Sequence, residues 1–303
     1  MTTKENITID EIVSDLKNPE QEKTVRLMEN ACVSAGAGSG KTRVLATRYV
    51  YLVAKYGYSP SEILTLTFTN KAAREMKERL SSMLGDEGGS VNASTFHSAC
   101  MRILRSEIEN LGFGSDFTIY DSSDSQRLIK NVMAELDVSE KQFVPRTVLS
   151  EISFAKDKMI TPEQMLEDAG IDYRKKVVAR IYKLYMERLR TANALDFDDI
   201  LCKTVELFDK FPEVLEKYRS RYKYIMVDEY QDTNHVQFRL VSQLSAGHKN
   251  LCVVGDDDQS IYRFRGANIE NILGFEEQFE GAAVIRLEQN YRSTKTVLDA
   301  ANS

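Results

Sequence analysis

The residues Ala35-Gly36-Ala37-Gly38-Ser39-Gly40-Lys41-Thr42 carry the plainest chemistry in the chain. Glycines let backbone N–H groups curl around a phosphate, and a helix starting at the loop's end adds a favourable dipole. Lys41 is suited to reach β- and γ-phosphates, and the Thr42 hydroxyl to ligate Mg2+. An ordinary glycine-rich turn is the alternative, but it does not require GSGKT between a strand and a helix. Alanine at position 35 departs from the common pattern, which opens on glycine.

A nucleotide site of this kind needs an acidic pair at the end of a buried strand. Asp228 and Glu229 follow Tyr224-Ile225-Met226-Val227 and supply one. The first carboxylate is expected to hold Mg2+ and the second to polarise the attacking water. Without the glycine loop, the same pair reads as a solvated turn. Gly255-Asp256-Asp257-Asp258-Gln259-Ser260 again closes a strand. Three carboxylates in a row repel phosphate, so some of them should face Mg2+, a helix N-terminus or solvent. Neutral Gln259 both donates and accepts, which suits a sensor of the γ-phosphate. Gln289-Asn290-Tyr291-Arg292 offers an arginine for charge neutralisation during phosphoryl transfer.

Several short apolar runs end in polar turns and lead into helices, and they position these groups. Ala31-Cys32-Val33-Ser34 precedes the loop, and in the following helix Val44, Leu45, Tyr49, Leu52 and Val53 recur at helical spacing. Ile63 to Phe68 is a strand, with Asn70 as N-cap of a helix to about Leu84. Val91 to Ser94 opens a helix holding His97, Met101 and Leu104. YKYIMVDE, NLCVVGDD and AAVIRLEQ read as three further buried strands. Strands alternating with helices predict a mainly parallel α/β sheet covered on both faces. Ile108 to Tyr218 differs: amphipathic helical stretches broken at Pro145 and Pro162 predict an inserted helical domain. There the run Arg174, Lys175, Lys176, Arg180, Lys183, Arg188 and Arg190 is a solvated helix face or a duplex contact.

Composition bounds the class. The chain has 303 residues, 42% apolar and 28% charged, with net charge −6, so it is globular, of about two domains, and not coated in basic charge. No apolar run approaches the ~18 residues of a membrane span. The polar N-terminus reads as neither signal nor transit peptide. Cys32, Cys100, Cys202 and Cys252 are scattered without a CxxC pair, which predicts reduced thiols in a cytoplasmic protein rather than a metal site or disulfide framework.

The chain resembles superfamily 1 DNA helicases of the UvrD/Rep/PcrA type. The resemblance rests on an ordered set: NPEQ (18–21), AGAGSGKT (35–42), TFTNKAA (67–73), STFH (94–97), LDFDD (195–199), VDEYQDTN (227–234), VVGDDDQSIYRFRGA (253–267) and LEQNYRS (287–293). It implies a RecA-like P-loop NTPase fold using ATP and Mg2+. Carried over by position, Gln21 reads the adenine edge, Tyr291 stacks on adenine and Arg43 adds a nucleotide contact. Lys41, Thr42, Asp228 and Glu229 keep the roles above. Gln259 couples γ-phosphate to DNA, and Arg292 is an arginine finger. Single-stranded DNA is implied across Phe68, Thr69, Asn70, Thr95, His97, Phe197, Tyr262, Phe264 and Arg265, since aromatic faces stack on any base. Phe197 stands open between core packing and DNA contact, and His97 equally fits a satisfied helix residue. Tyr262 and Phe264 alternate with Arg263 and Arg265, a mixture unlike a core.

The family usually has tryptophan where Phe264 stands, and this chain has none. Related recombination nuclease-helicases show YRFR here, but their preceding element tends to read DVKQ rather than DDDQ. The expected organisation is a RecA-like domain in two parts (1–93 and 219–284), a helical insertion (94–218) and the truncated start of a second RecA-like domain (285–303), whose later motifs are missing. The expected function is 3′ to 5′ translocation on single-stranded DNA and separation of duplex junctions, in repair or replication. Two other readings stay open, a helicase–nuclease subunit and a nucleotide-dependent binding switch.

Overall fold

Runs of apolar and β-branched residues set the strands β1 (Ala31–Ala35), β2 (Ile63–Thr67) and β3 (Asn92–Thr95), the two-residue β4 (Thr118–Ile119) and β5 (Ala194–Leu195), then β6 (Tyr224–Val227), β7 (Leu251–Gly255) and β8 (Ala283–Leu287). The computed structural model describes residues 9–14, 16, 18–27, 30–36, 38–248, 250–256, 270–279 and 281–294. Ala37, Gln259, Tyr262, Phe264 and Arg265, all singled out above, lie outside the described residues. The chain forms two compact units: one from residues 1–96, 216–233 and 244–303, the other from 97–215 and 234–243.

The first unit is a six-stranded sheet in the order β3-β2-β6-β7-β1-β8. Every pairing is parallel, with Val33 opposite Val254 on one side and Ile285 on the other. All residues of β2, β6 and β7 are buried, as a parallel sheet covered on both faces requires. β8, read as a buried strand, is an edge: Ile285 and Leu287 point inward while Val284 and Arg286 are exposed. The helix Lys41–Tyr56 packs Val44, Leu45, Tyr49, Leu52 and Val53 into the same core as Val33, Met226 and Val254.

Two local expectations are corrected. The helix Asn70–Leu84 is capped by Thr69, whose Oγ1 accepts from the Ala72 N–H at 3.1 Å. Thr69 is still extended from the strand exit, so it, and not Asn70, holds the cap geometry. Residues 92–95 pair with β2 as a strand instead of opening a helix, which starts at Phe96. Sheet pairing there overrides a polar sequence with weak strand preference.

In the second unit the helices Ser122–Glu135, Pro145–Asp157, Pro162–Asp168, Tyr173–Thr191 and Phe197–Lys210 accompany the β4–β5 pair. Ile129, Val132, Val148, Ile152, Val178, Ile181 and Tyr185 form its core. Pro145 and Pro162 start helices, where the missing N–H is not needed. The basic face of Tyr173–Thr191 is laced to neighbouring helices by Arg174–Glu151, Lys183–Glu163 and Arg188–Glu135, exposed pairs worth ~0–1 kcal/mol each. The boundaries expected at 93/94, 218/219 and 284/285 fall inside β3, the helix Pro212–Arg221 and β8. Residues 234–243 join the helical unit. Cys32, Cys100, Cys202 and Cys252 form no disulfide.

Candidate nucleotide site and nucleic-acid contacts

In the first unit the candidate residues follow the C-terminal ends of parallel strands, the edge at which ligands bind such sheets. β1 leads into the glycine loop, β6 into Asp228 and Glu229, β7 into Asp256, and β8 into Gln289–Arg292. Because β1 lies between β7 and β8, the glycine loop emerges beside both of their exits.

Backbone geometry shapes the loop. Gly38 (φ +76°) and Gly40 (φ +88°) are left-handed, and the Ser39 N–H donates to the Gly36 carbonyl at 3.1 Å. A Cβ on Gly38 would collide with the Arg292 Cβ, and the Tyr291 N–H donates to the Gly38 carbonyl at 2.9 Å. The Arg292 and Ser293 N–H groups both donate to Asn290 Oδ1 at 2.8 Å. The segment expected to begin a separate domain is therefore docked on the glycine loop. Tyr291 and Arg292 are exposed beside it. Gln21 is buried, and its Nε2 donates to the Ser39 carbonyl at 2.8 Å.

The electrostatics point to an anion. The helix Lys41–Tyr56 starts without a side-chain cap or an acid in its first turn, and carries Lys41 and Arg43 there. Cations at a helix N-terminus oppose the dipole by ~0.3–1 kcal/mol, a local cost that a bound phosphate reverses. Buried Ser39 Oγ has no hydrogen-bond partner. Lys41 Nζ lies 3.4 Å from Asp256 Oδ2 and 3.7 Å from Glu229 Oε2, so Asp256, the described carboxylate of the acidic run, faces this lysine at the start of its helix. Burial, then the neighbouring Glu229 carboxylate, pushes the Asp228 carboxyl up to about 6. A desolvated carboxylate and a threonine hydroxyl are hard oxygen donors, which fit Mg2+. Glu229 is left-handed (φ +54°, ψ +42°), a conformation costing a non-glycine residue ~1–3 kcal/mol and concentrated at functional sites.

Gln231 escaped the sequence reading. Its Nε2 donates to Glu229 Oε2 at 2.9 Å while its Oε1 accepts from the Asp256 N–H at 2.9 Å. One buried amide thus ties the exits of β6 and β7 together. Gly255 makes room for it, since a Cβ there would sit 2.7 Å from Gln231 Oε1. A neutral glutamine beside an acidic pair gives no charge signal to find it by.

The candidate DNA contacts divide by unit. In the first, Thr69 and Asn70 are exposed, Phe68 is half-buried with its ring 5.5 Å from that of Phe96, and Thr95 is buried. In the second, Phe197 is 57% exposed and stacks on His97, ring centroids 3.9 Å apart and planes 20° from parallel. Core packing for Phe197 is thereby set aside. Burial lowers the His97 pKa to about 4, so the imidazole is neutral at physiological pH.

The comparisons with known proteins agree with this geometry. The family model of the UvrD/REP helicase N-terminal domain matches residues 17–280. The ATP-dependent DNA helicase PcrA of Bacillus subtilis is 49% identical over 298 residues, which are 98% of this chain and 40% of that protein. PcrA of Staphylococcus aureus and of Staphylococcus epidermidis are each 49% identical over 286 residues, 94% of this chain and 39% of theirs. The chain thus spans about 40% of the length of the curated relatives it matches. By its family match, and by a parallel sheet that gathers these residues at one edge, the chain belongs to the UvrD/REP helicase N-terminal domain family.

Proposed function

We propose that the chain is the ATP-binding part of a DNA helicase, which couples ATP hydrolysis to 3′ to 5′ movement on single-stranded DNA and to separation of duplex junctions in cytoplasmic repair or replication. The observation that carries this reading is Lys41, set at a helix N-terminus within 4 Å of carboxylates from two strand ends and beside the docked Asn290–Arg292 segment. In this reading Lys41 leaves its carboxylates for the β- and γ-phosphates. The backbone N–H groups of the glycine loop wrap the phosphates, Gln21 and Tyr291 hold the adenine, and Arg43 adds a further nucleotide contact. Thr42 and Asp228 hold Mg2+, which when bound neutralises charge on the phosphate oxygens. Glu229, held by Gln231, takes the proton of the attacking water, and Arg292 adds charge at the γ-phosphate. Gln259 links that site to the DNA track of Phe68, Thr69, Asn70, Thr95, His97, Phe197, Tyr262, Phe264 and Arg265, and the helical unit acts as the insertion.

Titration of the chain with a fluorescent ATP analogue and Mg2+ tests the core of this reading. Saturable binding in the parent, lost in Lys41→Ala with an unchanged circular dichroism spectrum, is the expected result. Equal affinity in the two would overturn the assignment of the phosphate loop.

A further inference from the structure

Lys156 is 2% exposed in the second unit, and nothing in the nucleotide chemistry uses it. Its Nζ donates to Asp196 Oδ2 at 2.6 Å and to Asp199 Oδ1 at 2.8 Å. Tyr185 Oη donates to the same Asp196 oxygen at 2.9 Å. These two aspartates are the N-cap and the third residue of the helix Phe197–Lys210. They close a reciprocal capping box, with Asp199 N–H to Asp196 Oδ1 at 2.9 Å and Asp196 N–H to Asp199 Oδ2 at 3.2 Å. Just upstream, Leu195 pairs with Ile119 in the β4–β5 ladder. The entry to this helix is therefore fixed by a ladder, a box and a buried cation.

Between the two anchored aspartates sits Phe197, the first helical residue, turned outward onto His97. Each residue advances a helix by about 100°, so a small rotation of this first turn would swing the ring off its stack. Buried ion networks add little stability compared with apolar packing of the same volume, so this one is better accounted for by the geometry it holds. We propose that Lys156, assisted by Tyr185, is a positioning residue that aims Phe197 at single-stranded DNA by locking the first turn of its helix. This rests on the reading of Phe197 as a DNA contact.

A double-mutant cycle on the full chain tests it, with oligothymidylate affinity read by fluorescence anisotropy at fixed salt and thermal melts alongside. Phe197→Ala is expected to weaken binding about 5- to 150-fold, the range for loss of one stacked base. Lys156→Met is expected to weaken it to a similar degree at temperatures where the chain is folded, Lys156→Arg to restore most of the loss, and Lys156→Met in the Phe197→Ala background to add nothing. Parent-like affinity in Lys156→Met, or full additivity in the double variant, would overturn the proposal. If Lys156→Met does not fold, Tyr185→Phe carries the same cycle without removing a charge: a loss that disappears in the Phe197→Ala background supports the proposal, and a loss that persists there, or no loss, overturns it. Parent-like affinity in Phe197→Ala itself would overturn the DNA reading of that residue, and the inference with it.

Discussion

Each unit places one lysine between two carboxylates, and the two arrangements differ in closeness and in what surrounds them. Lys156 meets Asp196 and Asp199 at 2.6 and 2.8 Å, with Tyr185 completing the Asp196 oxygen. Lys41 meets Asp256 and Glu229 at 3.4 and 3.7 Å, with Glu229 half-exposed and Ser39 Oγ lacking a partner nearby. Burial opposes the charge on Lys156, yet its two carboxylates hold its pKa well above the ordinary lysine value. Short charge-assisted bonds in a dry interior are strong and hard to exchange. Longer ones at a half-open strand edge exchange cheaply. The same three charges make a fixed joint in one place and, in the reading proposed here, a phosphate receptor in the other.

Changing the carboxylate side of the looser group should give the largest effect. In the protein that hydrolyses ATP, Glu229→Gln keeps the shape and removes the base, so turnover should fall ~10²–10⁴-fold with nucleotide still bound. Near-normal turnover would move the base elsewhere, with Asp228 and Asp256 first in line. Removing each lysine then separates the joint from the receptor. Lys156→Ala leaves two buried carboxylates without their cation and should cost ~3–5 kcal/mol of stability in urea unfolding. Lys41→Ala leaves buried Asp256 without its lysine but keeps half-exposed Glu229 solvated, so it should cost less stability than the Lys156 change while abolishing ATP binding. Equal destabilisation by both would erase the distinction.

Gln231 gives a smaller effect at the receptor. Gln231→Ala strips the buried Asp256 N–H of its acceptor, a loss of ~1–3 kcal/mol visible in thermal melts, and frees Glu229, which should also lower turnover. A variant melting like the parent would mean that another acceptor takes over. The smallest effect concerns pH in the helical unit. Burial, then the nearby Asp198 charge, pushes the Asp157 carboxyl up to about 7, against the hydrogen bond from Asn234. A raised carboxyl favours the protonated fold, so its contribution is present below the unfolded value near 4 and is lost as pH rises through about 7. Melting temperature should therefore decline across that window and decline less in Asp157→Asn. Parallel slopes would assign the titration to another group.

How much of this was legible in the sequence follows from the same contrast. A phosphate receptor at strand ends demands particular residue types at close spacing, so residues 35–42 and 228–229 announce themselves. The buried strands do too, because burial on both faces forces apolar runs. The joint is silent. Lys156 stands in an ordinary amphipathic helix, and its partners at 196 and 199 are brought to it only by the fold. β3 is polar and is made a strand by β2 alone. Gln231 acts through an uncharged amide. Residues 234–243 follow a strand of the first unit yet pack with the second, a choice made by tertiary contacts with no local signal.

The strand order has a consequence for how the molecule is made. Ala31 pairs with Cys252 and with Ala283, so the strand that carries the phosphate loop has both of its neighbours at the far end of the chain. Such long-range parallel pairing is slow to form, because loop closure must come before any contact rewards it. At roughly 5–20 residues per second of synthesis, β1 leaves the ribosome about 10–50 s before β8. Most of the helical unit, residues 97–215, is by then complete and contiguous. A nascent chain thus carries most of a helical unit while its sheet edge is still open, a form prone to wrong pairing and to capture by chaperones. The phosphate loop gains its second flank, and the Asn290–Arg292 clasp on Gly38, only after translation has passed Leu287.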